Sequence, residues 1–158
     1  MNGRPAAGVV AELTRRGETV ATAESLTAGL VCAALTDIPG ASAVVRGGLV
    51  VYATDLKSSL AGVDAALLAE RGAVHPEVAA RLAEGARDRC GADWGLGLTG
   101  VAGPDPQDGV APGTVHVGLA GPGTRTTRTL RLAGDRHAVR AAAVTAALDL
   151  LSTALAGR

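Results

Sequence analysis

The sequence is poor in aromatic residues and in net charge. Among its 158 residues there is no phenylalanine, one tryptophan and one tyrosine, so the core must be built from aliphatic side chains. This scarcity excludes a protein that binds single-stranded nucleic acid by stacking bases on aromatic side chains. The formal net charge is zero. That argues against an electrostatic binder of nucleic acid or of a membrane surface, because such proteins need an excess of basic residues.

Cysteine and histidine are also scarce, and neither is spaced as a set of metal ligands. Cys32 and Cys90 fit no CxxC pattern and lie in apolar helical patterns, which predicts buried free thiols and a cytoplasmic location. His75, His116 and His137 show no HxH or HxxxH spacing. A zinc site is therefore not expected.

Length and patterning predict one domain, spanning 1–158, in which strands alternate with helices. Expected helices cover 5–16, 28–36, 54–60, 64–71, 76–90 and 135–155, and expected strands cover 19–23, 43–52, 93–98, 113–120 and 124–132. The apolar stretch at 141–156 is predicted to be a core helix rather than a membrane span, because it is short and Asp149 interrupts it. This order predicts an α/β fold: a three-layer α/β/α domain with a mixed, mostly parallel sheet of about five strands.

The single lysine of the chain lies five residues after the single tyrosine, at Lys57 and Tyr52. Arginine stays protonated in proteins, whereas a lysine amine can lose its proton and act as a base. If Thr54 caps the helix that follows, Lys57 falls at the third helical position, where the helix dipole and partial burial favour the neutral amine. The alternative is a solvated lysine at a frayed helix start.

A polar segment, 24–29, stands between a predicted strand and a predicted helix. A serine there, Ser25, can present its hydroxyl beside the free N–H groups of a helix start, which stabilise an oxyanion or hold a phosphate. The alternative is that Ser25 or Thr27 is simply the N-cap of the helix. The segment does not contain a GxSxG nucleophile elbow.

Two later segments offer groups for ligand binding. The glycines between Leu98 and Gly109 let backbone N–H groups approach a ligand closely, although such a loop can equally be a surface connection. It contains no Walker lysine and no GxGxxG, so nucleotide binding of those kinds is not supported. Asp135 is predicted to cap the last helix, which places Arg136 in its first turn. There Arg136 suits a phosphate or carboxylate, with an exposed surface arginine as the alternative.

Six short motifs together resemble the C-terminal domain of the competence/damage-inducible protein A (CinA) family, the nicotinamide mononucleotide amidases. They are Thr-Ala-Glu-Ser-x-Thr at 22–27, Arg-Gly-Gly-x-Val-x-Tyr at 46–52, Gly-Ala-Val at 72–74, Leu-Thr-Gly-Val-Ala-Gly-Pro at 98–104, Pro-Gly-Thr-Val at 112–115 and Gly-Asp-Arg at 134–136. Each motif is weak alone, whereas all of them in this order are specific. The resemblance covers essentially the whole chain after the first helix.

The resemblance implies hydrolysis of the carboxamide of nicotinamide mononucleotide to nicotinate mononucleotide and ammonia, with no metal and no cofactor. It implies Ser25 as the nucleophile, Lys57 as the base that activates it and Tyr52 as a hydrogen-bonding group of the site. The substrate contacts that it implies are Thr27, Gly47, Thr99, Gly100, Arg136 and Arg140. Arg136 is expected to bind the phosphate, with Arg140 as the second choice.

Two departures from the family pattern mark where this chain differs. Many members have Cys-Thr-Gly-Gly after the serine, whereas this chain has Leu26 and Ala28 at the first and third of those positions, and the loop after Pro104 lacks a longer glycine run.

The alternative function is a non-catalytic nucleotide-binding or regulatory module linked to DNA uptake or repair. A homo-oligomer is expected, with a small molecule as the ligand and neither nucleic acid nor membrane as a partner.

Overall fold

The computed structural model describes residues 4–158, which form one five-stranded sheet flanked by helices. The helices are α1 (Arg4–Arg16), α2 (Leu30–Thr36), α3 (Thr54–Ser59), α4 (Ala65–Arg71), α5 (Pro76–Cys90) and α6 (Arg136–Ala156). The strands are β1 (Val20–Glu24), β2 (Val45–Val50), β3 (Trp94–Gly100), β4 (Thr114–Gly121) and β5 (Thr124–Arg131). A short 3-10 turn, Ala41–Ala43, precedes β2.

The sheet has the strand order β2-β1-β3-β4-β5. β1 pairs in parallel with β2 and with β3, while β4 pairs antiparallel with β3 and with β5. Every strand except β4 therefore runs in the same direction. The expected α/β fold with a mixed, mostly parallel sheet is confirmed.

Two apolar clusters cover the two faces of the sheet. The larger contains side chains of α1, α2 and α6, such as Leu13, Leu35 and Leu151, and the smaller contains side chains of α4 and α5, such as Leu68 and Leu82. Helix α5 lies very close to the strands, since a Cβ at Gly97 or Gly118 would collide with the backbone of Ala79. These glycines let the helix backbone approach the sheet.

Helix α6 is the one helix within residues 4–158 that has the length and mean hydropathy to cross a membrane, and 44% of that stretch is buried inside the protein. Its buried residues, among them Val139, Ala143 and Leu151, belong to the larger core cluster. The structure therefore places it as a core helix, as the sequence predicts.

Three local predictions are wrong. Helix α2 begins at Leu30 rather than at residue 28, because Ala28 and Gly29 take the left-handed φ values of 47° and 96°. Helix α3 is capped by Ala53 rather than Thr54, so Lys57 takes the fourth helical position instead of the third. The cysteines are free, as expected, but half-buried rather than buried.

Candidate active site

The candidate active site lies at the carboxyl ends of the three parallel strands. Ser25 directly follows β1, Tyr52 follows β2 and Thr99 is near the end of β3. Parallel neighbours end at the same edge of a sheet, which is where ligands bind in such folds. A pocket of about 380 Å³ opens there, and its lining includes Ser25, Tyr52, Lys57, Thr99, Gly100, Gln107 and Arg136. This volume suits a small-molecule ligand.

Ser25 and Lys57 form a hydrogen-bonded pair at the base of this pocket. Lys57 is only 1% exposed, and its Nζ lies 2.9 Å from Ser25 Oγ. The same Nζ lies 2.8 Å from the carbonyl oxygen of Val51 and 3.1 Å from that of Tyr52. Carbonyl oxygens can only accept, so a neutral amine donates its two N–H groups to them. Its lone pair is then left for the hydroxyl of Ser25.

The environment of Lys57 favours the neutral amine. Burial lowers its pKa from 10.5 to about 8. Among the described residues, no carboxylate contributes to the pKa of this amine, so nothing offsets the cost of burying the charge. A lysine with a lowered pKa beside a serine hydroxyl is a known way to activate the nucleophile.

Glu24 joins the end of β1, next to Ser25, to the start of α2. The prediction from sequence assigned this residue no role. It is fully buried, and its carboxylate accepts hydrogen bonds from the backbone N–H groups of Val31 (2.8 Å) and Cys32 (3.1 Å) and from the hydroxyl of Thr22 (2.9 Å). The signal was a charged residue at the end of an otherwise apolar strand. Such a residue needs buried partners, and here the start of α2 provides them.

The expectation that Ser25 or Thr27 could cap α2 is wrong. The N-cap position is Gly29, which makes no side-chain cap, and Glu24 satisfies N–H groups of the first turn from outside the helix. The hydroxyl of Ser25 is therefore bonded to Lys57 and to nothing in the helix start.

Two backbone hydrogen bonds fix the turn at Ser25, one to the neighbouring strand β3 and one within the turn. The N–H of Ser25 donates to the carbonyl of Leu98 at 3.0 Å, and the N–H of Ala28 donates to the carbonyl of Ser25 at 3.1 Å. Within residues 4–158, the N–H groups of Leu26 and Thr27 have no protein acceptor. Two backbone donors are thus free in the turn that directly follows Ser25.

Tyr52 and Arg136 form the mouth of the pocket. Tyr52 is 58% exposed, and its phenolic oxygen accepts a hydrogen bond from Arg136 Nη2 at 3.0 Å. Arg136 Nη1 donates to the carbonyl of Gly103 at 2.9 Å. Asp135 caps α6 by accepting from the N–H of Ala138, as predicted, which places Arg136 in the first turn. Lys57 contacts the carbonyl of Tyr52, whereas the phenol is turned towards Arg136.

The third wall is the loop after β3. Thr99 is almost fully buried, and its hydroxyl donates to the carbonyl of Ala73 at 2.7 Å, so it joins the loop before α5 to the sheet. Gln107 and Val110 exchange backbone hydrogen bonds of 3.1 and 2.8 Å around a two-residue turn. Gln107 also lines the pocket, and no pattern in the sequence distinguished it.

Three of the predicted substrate contacts lie outside this pocket. Gly47 lies inside β2 beside a separate shallow cavity, because three more strand residues follow it before the sheet edge. Thr27 is fully buried, and its hydroxyl has no partner among the described residues. Arg140 lies one turn after Arg136 and donates to the carbonyl of Leu26 at 2.8 Å. Thr27, Gly47 and Arg140 thus do not line the pocket, and their contact with a substrate stays a prediction.

The family model of the CinA C-terminal domain matches residues 4–155. The chain belongs to this family. A CinA-like protein of Frankia casuarinae is 54% identical over 149 residues, which cover 94% of this chain and 34% of that protein. A CinA-like protein of Anaeromyxobacter sp. is 52% identical over 148 residues, which cover 93% of this chain and 36% of the relative. The chain thus spans about a third of the length of these curated relatives.

Solved structures of the CinA family share the whole fold. The competence/damage inducible protein CihA of Agrobacterium tumefaciens is 35% identical, with a TM-score of 0.92 over 97% of this chain and 94% of its own. A CinA superfamily protein of Klebsiella pneumoniae is 32% identical, with a TM-score of 0.94 over 99% of this chain and 98% of its own. The resemblance carried by the six sequence motifs is confirmed.

Proposed function

We propose that this CinA domain is an amidohydrolase that converts nicotinamide mononucleotide to nicotinate mononucleotide and ammonia. The observation that carries the proposal is the 2.9 Å contact between Ser25 Oγ and the buried amine of Lys57, at the base of a pocket with a guanidinium at its mouth. A serine nucleophile needs a nearby base, and an amine with a pKa of about 8 can supply it.

In the first half-reaction, Ser25 Oγ attacks the carboxamide carbon while Lys57 Nζ takes the hydroxyl proton. The carbonyl oxygen gains negative charge, and the proposed donors to it are the free N–H groups of Leu26 and Thr27 in the turn after Ser25. Lys57 then returns the proton to the amide nitrogen, the carbon–nitrogen bond breaks and ammonia leaves. An ester between Ser25 and the nicotinoyl group remains.

In the second half-reaction, water replaces ammonia and attacks the ester carbon. The neutral Lys57 takes a proton from this water, and the oxygen of Ser25 recovers that proton as the ester bond breaks. The product is the carboxylic acid, which ionises at neutral pH, and the enzyme returns to its starting state. The carbonyls of Val51 and Tyr52 keep the amine in position throughout, because they accept its N–H groups in either charge state.

The mouth of the pocket supplies the contacts for the phosphate. Arg136 has N–H groups beyond the two that bind Gly103 and Tyr52, and it lies at the N-terminus of the 21-residue helix α6. A guanidinium and a helix N-terminus both favour a phosphate. In this proposal the nicotinamide ring lies deep, beside Ser25, and the phosphate lies near solvent, beside Arg136.

The test is release of ammonia from nicotinamide mononucleotide by the parent protein, with nicotinate mononucleotide measured as the second product. The Ser25→Ala variant should release none, because the nucleophile is gone. Ser59→Ala is the matched control, since Ser59 is exposed at the end of α3 and should behave like the parent. The acyl-enzyme should also appear by mass spectrometry as an adduct on Ser25.

Each other outcome has a distinct meaning. Release of ammonia by Ser25→Ala would keep the reaction and reject Ser25 as the nucleophile. Binding of the nucleotide by a well-folded parent without release of either product would reject the amidase and favour the non-catalytic module.

A further inference from the structure

A second cavity, of about 470 Å³, adjoins the candidate active site: Val74 lines both, and the hairpin at 107–110 contributes Gln107 to the first and Val110 to the second. It is bounded by the N-terminus of α5, the hairpin and the adjoining ends of β4 and β5. Its polar lining consists of His75, Thr114, His116 and Arg131. The mechanism proposed above uses none of these side chains.

His75 offers a hydrogen-bond donor to this cavity. Its Nδ1 accepts the N–H of Glu77 at 3.1 Å as the cap of α5. Nδ1 therefore carries no proton, and the proton of the neutral ring sits on Nε2. Among the described residues, no group accepts a hydrogen bond from His75 Nε2.

His116 is a buried histidine with one ring nitrogen unpartnered. It is 6% exposed, and its Nδ1 lies 2.9 Å from the hydroxyl of Thr129. Its Nε2 has no hydrogen-bond partner within residues 4–158, although the ring lines the cavity. This nitrogen is open to the cavity, where a ligand can reach it.

Arg131 and Thr114 complete a wall of donors. Arg131 Nη1 donates to Thr114 Oγ1 at 3.0 Å, which leaves the hydroxyl proton of Thr114 and further guanidinium N–H groups for another acceptor. In the described part of the chain, no aspartate or glutamate lines this cavity.

The electrostatic setting of the cavity is positive. The 15-residue helix α5 begins at its wall, and a helix N-terminus attracts anions. Burial, Arg131 and His75 together lower the pKa of His116, because they disfavour another positive charge there. The acidic group of the first turn, Glu77, is engaged by Arg81 at 3.1 Å and by Arg125 at 2.6 Å instead.

We propose that this cavity is a binding site for a phosphate-type oxyanion, either free phosphate or the phosphate end of a small phosphomonoester. Arginine, histidine and threonine donors converge there without a competing carboxylate. A bound dianion accepts from Arg131, Thr114 and the Nε2–H of His75, and it accepts from His116 Nε2 in the tautomer whose Nδ1 accepts from the hydroxyl of Thr129. The site is independent of the proposed amidase reaction.

The chain has its own reporters, since it contains only three histidines. We would follow their Cε1 protons by NMR at about pH 6.5, the ordinary pKa of histidine, while adding inorganic phosphate at constant ionic strength. The signals of His75 and His116 should shift together with one dissociation constant, because both rings line the cavity. His137, which follows Arg136, reports separately on phosphate at the candidate active site.

Two variants on β5 make the test specific. In Arg131→Gln, about tenfold more phosphate should be needed to produce the same shifts of His75 and His116, because the strongest charged donor is lost. Arg128→Gln is the matched control, because Arg128 lies on the same strand with its side chain on the opposite face, and it should bind like the parent. Equal binding by Arg131→Gln and the parent would overturn the proposal.

A second arm of the experiment separates the two sources of phosphate. Tighter binding of ribose 5-phosphate than of inorganic phosphate would identify a phosphomonoester as the ligand, and the reverse would identify free phosphate. Shifts confined to His137, or no shifts at all, would show that this cavity binds no oxyanion.

Discussion

The two halves of the candidate active site differ in burial and in what holds their side chains. At the base, Ser25 is 7% exposed and Lys57 is 1% exposed, and backbone carbonyls of the turn after β2 fix the amine. At the mouth, Tyr52 is 58% exposed, and it is joined to Arg136 by a single hydrogen bond between side chains. The bottom of the pocket is therefore buried, whereas the mouth is accessible to solvent.

This difference matches the chemistry that each half would perform. A lysine base needs a lowered pKa, and burial without a counter-charge provides it. A charged phosphate needs access from solvent and donors that can adjust to it. We therefore expect substitutions at the bottom of the pocket, at Ser25 or Lys57, to lower kcat. Substitutions at the mouth should raise KM while kcat changes little.

The largest effect is expected for Lys57→Arg, at the bottom of the pocket. Arginine keeps the positive charge but cannot lose its proton, so kcat should fall by about a thousandfold or more. The measurement is the rate of ammonia release, with circular dichroism to confirm the fold. Lys57→Met should lose as much activity, because it also lacks a base. Parental kcat in the Lys57→Arg variant would reject the general-base role.

The pH dependence gives the next largest effect. The base must be neutral, so kcat/KM should rise about tenfold per pH unit below about pH 8, the pKa of Lys57, and then level off. The check is a profile of kcat/KM from acidic to mildly alkaline pH. A flat profile through this range would mean that Lys57 is not the titrating group.

The same pKa controls stability, and the sign follows from proton linkage. The unfolded chain keeps the proton of Lys57 up to about pH 10.5, whereas the folded protein releases it at about pH 8. The unfolded state thus binds more protons between these values, and the free energy of unfolding should rise with pH there, by at most about 1.4 kcal/mol per unit. Urea unfolding of Lys57→Met across this range should lack that rise.

Glu24→Gln tests what positions the nucleophile. The amide keeps the shape of the carboxylate but can turn only one acceptor towards the N–H groups of Val31 and Cys32. We expect kcat to fall by between about tenfold and a hundredfold, since a small displacement of a nucleophile costs that much. The free energy of unfolding should fall by about 1–3 kcal/mol. Loss of stability with parental kcat would show that Glu24 serves the fold alone.

Much of the fold was predictable because its signals are local. Helix α5 begins at Pro76 and is followed by Gly91, and both act within one turn, so its bounds were predicted correctly. The start of α2 was not, because its N–H groups are satisfied by Glu24, which lies several residues before the helix. Sequence patterns carry no direct sign of such a contact.

The candidate site divides in the same way. The sequence singled out Ser25 and Lys57 by residue type and position, and the structure brings them together. The sequence could not show that Gly47 lies away from the pocket or that the hydroxyl of Thr27 is buried. Those outcomes depend on strand length and on the left-handed turn at Ala28, where φ is 47°.

At the mouth, Arg136→Gln removes the charge that we assign to phosphate binding. KM should rise by about tenfold or more, because a charge-assisted hydrogen bond is lost, and kcat should stay within a few-fold of the parent. Arg128→Gln is a control that removes an exposed arginine of β5 that does not line the pocket. A fall in kcat with unchanged KM would place Arg136 in the chemistry instead.

The smallest effect should come from Tyr52→Phe, which removes only the oxygen that Arg136 Nη2 contacts at 3.0 Å. The guanidinium keeps its hydrogen bond to Gly103, so we expect KM to rise by only a few-fold, and Lys57 keeps its contact with the Tyr52 carbonyl, so kcat should not change. In an Arg136→Gln background, Tyr52→Phe should have no further effect, because the phenol would act only through that arginine. If kcat instead falls in both backgrounds, the phenol takes part in the reaction. Tyr52 then belongs with Ser25 and Lys57 among the residues that perform the chemistry, rather than with Arg136 among those that bind the phosphate.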